Sequence, residues 1–189
     1  MRTKESNTGG SNALRGGRPL ETSVEVIARA IPSVVFATLA DLESHLEWAG
    51  NRAPKKARLL MMDAPEGQAG LGTEFSSTGS DPMGSFADHS VVTEAIPGRV
   101  FEYVTEARLT PKRGGEPVEW TLVHRYEIVA HEDGSRISYT IRITRLSRVF
   151  GMLRMFRSPL VGLVLKILAS TARRTLQNLA AVSHERSTA

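Results

Sequence analysis

The chain of 189 residues is long enough for one domain with a substantial core, and its 41% hydrophobic and 23% charged residues exclude wholesale disorder and a fibrous repeat. It contains no cysteine, which excludes disulfide scaffolds, thiolate metal sites and cysteine nucleophiles. The formal net charge of +4 is unevenly spread, because basic residues predominate from Arg142 onward, where Glu185 is the only acid.

Residues 1–20 are rich in Gly, Ser, Asn and Arg, a composition typical of a disordered tail. They contain no continuous apolar segment after the basic residues, which argues against a secretory signal. The most apolar stretch, 149–168, is interrupted by charges that a membrane-spanning helix would have to bury at a cost of several kcal/mol. We therefore expect a cytoplasmic protein with a single domain over residues 21–186.

Local patterns predict one strand, a short helical region and then a run of antiparallel strands. The first strand is predicted over 23–30, and apolar residues at helical spacing predict one bent helix or two short helices from Pro32 to Trp48. Pro97-Gly98 and Glu132-Asp133-Gly134 are typical of the tight turns that close hairpins. Further strands are predicted over 57–63, 73–78, 86–95, 100–109, 119–130 and 136–146.

An apolar stripe after Pro159 predicts a C-terminal amphipathic helix. About 24 residues would span roughly 36 Å, which is enough to cross a whole sheet. A strongly curved sheet cannot fill its concave side with its own side chains, so this helix must cover it. The sequence thus predicts an α+β domain in which a cavity can remain between helix and sheet.

Four stretches of the sequence resemble the START-like superfamily, also called SRPBCC, which includes the birch-pollen allergen fold and the polyketide cyclase/dehydrase proteins. They are VEVIARAIPSVVFATLADLESHLEW, GLGTEF, VVTEAIPGRVFEYV and HRYEIVAHEDGSRISYTI. The resemblance covers about residues 23–182 and rests on turns and apolar positions. It implies a helix-grip fold, in which about six or seven antiparallel strands wrap around the C-terminal helix. It also implies a deep apolar pocket, which members use for lipids, sterols, polyketides or plant hormones.

The sequence contains no H-E-x-x-H, Walker or G-x-S-x-G motif, and no histidine and carboxylate spacing typical of a metal site. We therefore predict no metal and no cofactor. No recognisable nucleic-acid module accompanies the arginines, so no nucleic-acid partner is predicted either.

Strand alternation nominates polar side chains for the expected pocket. His124 alternates with apolar neighbours and would face inward, either as a hydrogen-bonded structural histidine or as a ligand contact or general acid/base. Asp88 and His89 lie on opposite faces of their strand, and Asp88 enters the pocket if Phe86 lines it; the sequence leaves that face open. The candidates for acid/base chemistry are His124, Asp88, Tyr103 and Tyr139.

Trp48 resembles the family's tryptophan at the end of the helical pair, where the next loop guards a pocket entrance. It is either a core residue or a ligand contact, and its neighbour His45 is predicted to be exposed. The residues expected to line the pocket are mainly aromatic or aliphatic. They are Trp48, Phe75, Phe86, Trp120, Leu122, His124, Tyr126, Tyr139, Ile141, Leu165, Leu168 and Ala172.

Four arginines before the final helix, Arg145, Arg148, Arg154 and Arg157, interleave with large apolar residues, a composition that suits an anionic membrane surface. The alternative is that these apolar residues cap the pocket or form a homodimer contact while the arginines are solvated.

Three functions are compatible with this sequence. The first is the binding or carriage of a hydrophobic small molecule, favoured because no catalytic motif is present. The second is an aromatase/cyclase-like enzyme, which requires His124, Asp88 and a tyrosine to converge. The third is a peripheral lipid-transfer module.

Overall fold

The protein is represented by a computed structural model that describes residues 20–53, 58–80, 84–146 and 159–189. Its elements follow the predicted order: a strand, a helical region, six more strands and a long helix. The strands are β1 (Leu20–Ala28), β2 (Arg58–Asp63), β3 (Glu74–Ser80), β4 (Gly84–Ile96), β5 (Val100–Pro111), β6 (Val118–His131) and β7 (Gly134–Leu146). The helices are α1 (Pro32–Ala40) and α2 (Pro159–Thr188).

The strands form one antiparallel sheet in the order β1-β7-β6-β5-β4-β3-β2. Both predicted hairpins are confirmed, β4–β5 around Gly98 and β6–β7 around Gly134, and both glycines have positive φ angles. β1 begins at Leu20, earlier than predicted, because β7 is long enough to pair with it there, Leu20 opposite Ile143. The first and last strands thus lie side by side, and the sheet ends at β1 and β2.

The helical region after β1 is bent. α1 begins with a proline in its first turn and ends at Ala40, after which the backbone of Asp41 leaves the helical region at φ −77° and ψ 89°. A 3₁₀ turn (Leu42–Ser44) and a π-helical turn (Leu46–Asn51) follow. The Ser44 hydroxyl donates to the Thr38 carbonyl at 2.7 Å, which satisfies a backbone acceptor near the end of α1.

The C-terminal helix α2 has 30 residues and is therefore about 45 Å long. It packs mainly against β1, α1 and the π-helical turn. Its buried apolar stripe is Ala172, Leu176, Leu179 and Val182. The Asn178 amide donates to the Trp48 carbonyl at 3.0 Å, which ties the helix to the π-helical turn.

Two sets of sequence predictions fall beyond the described residues. They are the N-terminal tail, over residues 1–19, and three of the four arginines, Arg148, Arg154 and Arg157. Arg145 is described and exposed at the end of β7. In the described part of the chain, no helix is long and apolar enough to cross a bilayer.

A candidate ligand site on the concave face of the sheet

The strand register places the predicted pocket residues of the sheet on one face, which also carries the buried Tyr126, Ile128 and Ile137 and which we call the concave face. Along one row, Val92, Tyr103, His124 and Ile141 lie directly opposite one another on β4 to β7. Side chains two residues away along each strand point to the same side. The predicted residues that share this face are Phe75, Phe86, Asp88, Tyr103, Trp120, Leu122, His124, Tyr126, Tyr139 and Ile141.

Burial changes along this face. At one end, where α1 packs, Tyr126, Ile128 and Ile137 are at most 3% exposed. Further along β6, Leu122 and Trp120 are only partly buried although they point to the same side. Beyond the packed end lies a part with accessible side chains, although neighbours there such as Thr105, Ala107 and Leu109 are buried. The accessible part consists of Phe86, Asp88, Trp120, Leu122, His124, Ile141 and Ile143.

All three tyrosines of the chain meet His124 at the boundary between these two parts. The rings of Tyr126 and Tyr139 stack with centroids 4.2 Å apart, and those of Tyr103 and His124 stack at 4.7 Å. His124 Nδ1 and the Tyr139 hydroxyl are hydrogen-bonded at 2.7 Å. Tyr126 lies close enough to both other tyrosines for them to affect its pKa. A connected polar cluster therefore lies within an otherwise apolar surface.

This cluster is uncharged at neutral pH. Burial, with a smaller contribution from the nearby His45, lowers the pKa of His124 to about 4. Burial also raises the pKa of Tyr103 to about 12 and raises those of Tyr126 and Tyr139 well above their usual value. The cluster can thus donate and accept hydrogen bonds, but a histidine with so low a pKa is a weak general acid/base near pH 7.

His124 combines two properties that place it at the edge of the packed core. It lies deep enough for burial to be the main cause of its lowered pKa, yet its side chain is partly accessible. A side chain that borders a hollow or a groove open to water shows both properties.

Asp88 lies in a different row from His124. It is opposite Ala107 on β5, which is in turn opposite Trp120 on β6. Burial raises the pKa of the Asp88 carboxyl to about 7. Since Asp88 is four residues along β4 from Val92, it is about 13 Å along the strand from the row of His124. The structure therefore joins His124, Tyr103 and Tyr139, whereas Asp88 lies in another row and acts on the cluster through its charge, which helps to raise the pKa of Tyr103.

Two buried polar atoms in the Asp88 row lack a hydrogen-bond partner. Asp88 Oδ1 and Trp120 Nε1 make no hydrogen bond within the described parts of the chain. One is an acceptor and the other a donor. The neighbouring polar groups on the same face do have partners, because the Ser90 and Thr105 hydroxyls are hydrogen-bonded to each other at 2.9 Å.

Solved structures share this architecture at low sequence identity. An uncharacterized protein from Rhizobium leguminosarum matches with a TM-score of 0.59 and 14% identity, over 89% of this chain and 96% of its own. Ara h 8.0201 matches with a TM-score of 0.57 and 13% identity, over 86% and 96% of the two chains. The di-domain ARO/CYC StfQ from the steffimycin biosynthetic pathway matches with a TM-score of 0.62 and 13% identity, over 90% of this chain and 53% of StfQ.

These neighbours include proteins of the START-like, or SRPBCC, fold. The chain has a START-like fold. A scan against protein-family models finds no match, and neither does a search of curated proteins. At these identities the likeness shows the fold alone, because proteins of one fold differ in function.

One buried residue next to Trp48 was wrongly expected to be exposed. His45 is 3% exposed, its Nε2 donates to the Leu39 carbonyl at 2.8 Å, and its ring lies 4.5 Å from that of Trp48. Burial lowers its pKa to about 4. The break at Asp41 turns His45 inward, which apolar periodicity on an unbroken helix could not reveal.

The remaining predicted lining residues lie between sheet and helices. Trp48 is 2% exposed, and its Nε1 has no hydrogen-bond partner among the described residues. Phe75 packs edge-on against Tyr103 with ring centroids 5.3 Å apart. On α2, Ala172 is buried and Leu168 is partly buried. The side chain of Leu165 lies outside the described part of the structure.

Two other features do not belong to this site. An open cleft of about 380 Å³ lies at the end of β1, lined by residues such as Arg29, Ile31 and Arg186, and it does not include the concave face. No group of three or more metal-ligating side chains occurs in the described ranges.

Proposed function

We infer that the protein binds an apolar small molecule in the space between the concave face of the sheet and α2. The observation that carries this proposal is the state of His124, which is deep in the fold and yet accessible. Leu122 and Trp120 on the same strand are accessible as well, so this space has a largely apolar wall. A concave apolar surface with few polar groups is the usual form of a small-molecule site.

The chemistry of the wall is sufficient for useful affinity. Burying about 300 Å² of ligand surface at roughly 25 cal/mol per Å² provides about 7.5 kcal/mol before ordering costs are subtracted. Before that subtraction this corresponds to about micromolar binding, which is the upper limit that the apolar wall alone can provide. The name of the neighbour StfQ, an ARO/CYC of a biosynthetic pathway, supports a small molecule as the occupant of such a fold.

Catalysis is not part of this proposal. The aromatase/cyclase hypothesis requires His124, Asp88 and a tyrosine to converge, and Asp88 stands in another row. The low pKa of His124 also removes the poised imidazole that acid/base chemistry needs.

Neighbouring residues on β6 allow a matched test. Leu122 faces the concave side, and Val123 faces the convex side. Binding of the neutral fluorophore N-phenyl-1-naphthylamine can be followed by its emission increase in each variant. We expect Leu122→Lys to weaken binding at least tenfold, because an ammonium in the apolar space must keep its water. Val123→Lys should leave the affinity within about twofold of the unmodified protein.

Circular dichroism and thermal unfolding of both variants establish that each is folded. Equal binding by the two folded variants, or equal loss, would contradict a site on the concave face. Native mass spectrometry of the protein purified from its own source then identifies a retained molecule by its mass.

A further inference from the structure

We propose that the ligand carries a hydroxyl group and that this hydroxyl binds between Asp88 and Trp120. The inference rests on the proposed function and specifies the ligand class for the same site. It follows from two buried atoms of opposite hydrogen-bonding character that lie in one row of the sheet and have no partner in the described ranges, Asp88 Oδ1 and Trp120 Nε1.

The register brings these two groups to the same level of the concave face. Asp88 on β4 and Trp120 on β6 are separated by one strand, so their backbones are about 10 Å apart. The residue between them is Ala107, whose methyl group is too short to stand between a carboxyl and an indole. Ala107 is itself only 5% exposed and both polar atoms are buried, so a small polar group reaches both sides when the side chains that cover Ala107 move aside.

The missing partners have an energetic cost in the ligand-free protein. A buried polar atom without a hydrogen bond costs the free energy of its lost hydration. The pKa of Asp88, raised to about 7 by burial, reflects the same cost, because no cation among the described residues pairs with this carboxyl. A ligand that supplies both hydrogen bonds recovers this free energy on binding.

A hydroxyl is the group that satisfies both atoms. Its oxygen accepts from the Trp120 Nε1–H, and its hydrogen is donated to Asp88 Oδ1. An ether oxygen can accept from Trp120 but has nothing to donate to Asp88. An ammonium can donate to Asp88 but leaves the indole without an acceptor.

Other polar groups on this face are already occupied. The Ser90 and Thr105 hydroxyls bond to each other at 2.9 Å, and His124 bonds to Tyr139 at 2.7 Å. An additional polar group on this face therefore forms the most new hydrogen bonds in the Asp88 row.

Decyl compounds that differ only in the head group test the assignment. 1-Decanol, decyl methyl ether and decylamine compete for N-phenyl-1-naphthylamine bound to the full chain. We expect 1-decanol to bind about tenfold more tightly than the ether, since one more hydrogen bond to a buried carboxyl is made. Decylamine should bind more weakly than 1-decanol.

Variants separate the two hydrogen bonds. Asp88→Leu should bring the ratio of alcohol to ether affinity close to one, because the carboxyl acceptor is gone. Trp120→Phe should weaken alcohol and ether by a similar, several-fold factor and preserve their ratio. As a matched control, the double variant Ser90→Ala/Thr105→Val removes a hydroxyl pair that is already satisfied and should keep the tenfold preference.

The two tryptophans of the chain provide a readout of the indole itself. In a ¹H–¹⁵N spectrum they give two indole signals, which Trp120→Phe assigns. 1-Decanol should move the Trp120 signal downfield, as expected for a new hydrogen bond, and move the Trp48 signal less.

The outcomes distinguish the two proposals. Failure of the fluorophore and of all decyl compounds to bind removes the proposed function and this inference together. Fluorophore binding with equal affinities for alcohol and ether, or with an unmoved Trp120 signal, overturns only the hydroxyl assignment. If decylamine binds more tightly than 1-decanol, the hydroxyl assignment is wrong and the site prefers a cationic group.

Discussion

Asp88→Asn should stabilise the ligand-free protein at pH 8 and change it little at pH 4. The substitution keeps the shape of the side chain and removes its charge. Burial raises the pKa of the carboxyl from its usual 3.8 to about 7. Each pKa unit corresponds to about 1.4 kcal/mol, so the ionised carboxylate costs the folded state on the order of 4 kcal/mol at pH 8. Because the side chain is partly accessible, we expect a gain of about 2–4 kcal/mol.

The sign of this pH dependence follows from the number of protons that Asp88 binds in the folded and unfolded states. Between pH 4 and pH 7 the folded protein keeps a proton on Asp88 that the unfolded chain has already released. Folding stability therefore falls as the pH rises through this window. The variant has no such group, so its advantage should grow from near zero at pH 4 to a plateau above pH 7.

Urea unfolding at pH 4, 6 and 8 measures these differences directly. Glu106→Gln is the matched control, because it removes an exposed carboxylate from the adjacent strand β5. It should change the free energy of unfolding by less than about 0.5 kcal/mol at every pH. A gain for Asp88→Asn that is equal at all three pH values, or absent at pH 8, would refute the reasoning.

Two further predictions concern the buried histidines and one turn. His45 and His124 keep pKa values of about 4 in the folded protein, so lowering the pH from 6.5 to 4 should destabilise it by up to about 3 kcal/mol per histidine. In the wild-type protein, protonation of Asp88 stabilises the folded state as the pH falls and masks part of this loss. In Asp88→Asn, urea unfolding should therefore show the steepest decrease in the free energy of unfolding, and a value that does not change with pH would contradict buried, neutral histidines. Gly134→Ala should lower the free energy of unfolding by several kcal/mol, because its φ is 132° and the new Cβ would collide with the last carbonyl of β1. Gly114→Ala, with a φ of 75° and open space around it, should cost only about 1 kcal/mol, so equal losses would be inconsistent with the packing of that turn.

The sequence predicts the fold well because the fold depends on local patterns. Alternation in β7 places Ile137, Tyr139 and Ile141 on the core side without knowledge of any partner strand. The turns at Gly98 and Gly134 require positive φ, which a glycine after a proline or an aspartate signals locally.

The site could be predicted only in part, because its contacts depend on strand register. Alternation indicates that His124 faces inward, but its hydrogen bond to Tyr139 depends on the pairing of β6 with β7, which shifts between Thr121 and Leu122. The alignment of Asp88 with Trp120 likewise depends on two strand pairings at once. Residue spacing along one strand therefore predicts neither the hydrogen bond between His124 and Tyr139 nor the alignment of Asp88 with Trp120.

Xenon binding tests the central claim most directly, because xenon fills apolar cavities whatever the natural ligand is. Crystals of the protein pressurised with xenon should show anomalous density over the concave face, within contact distance of Leu122 and Trp120. Solid packing of side chains over these residues, with xenon absent from that face, would contradict an internal binding site.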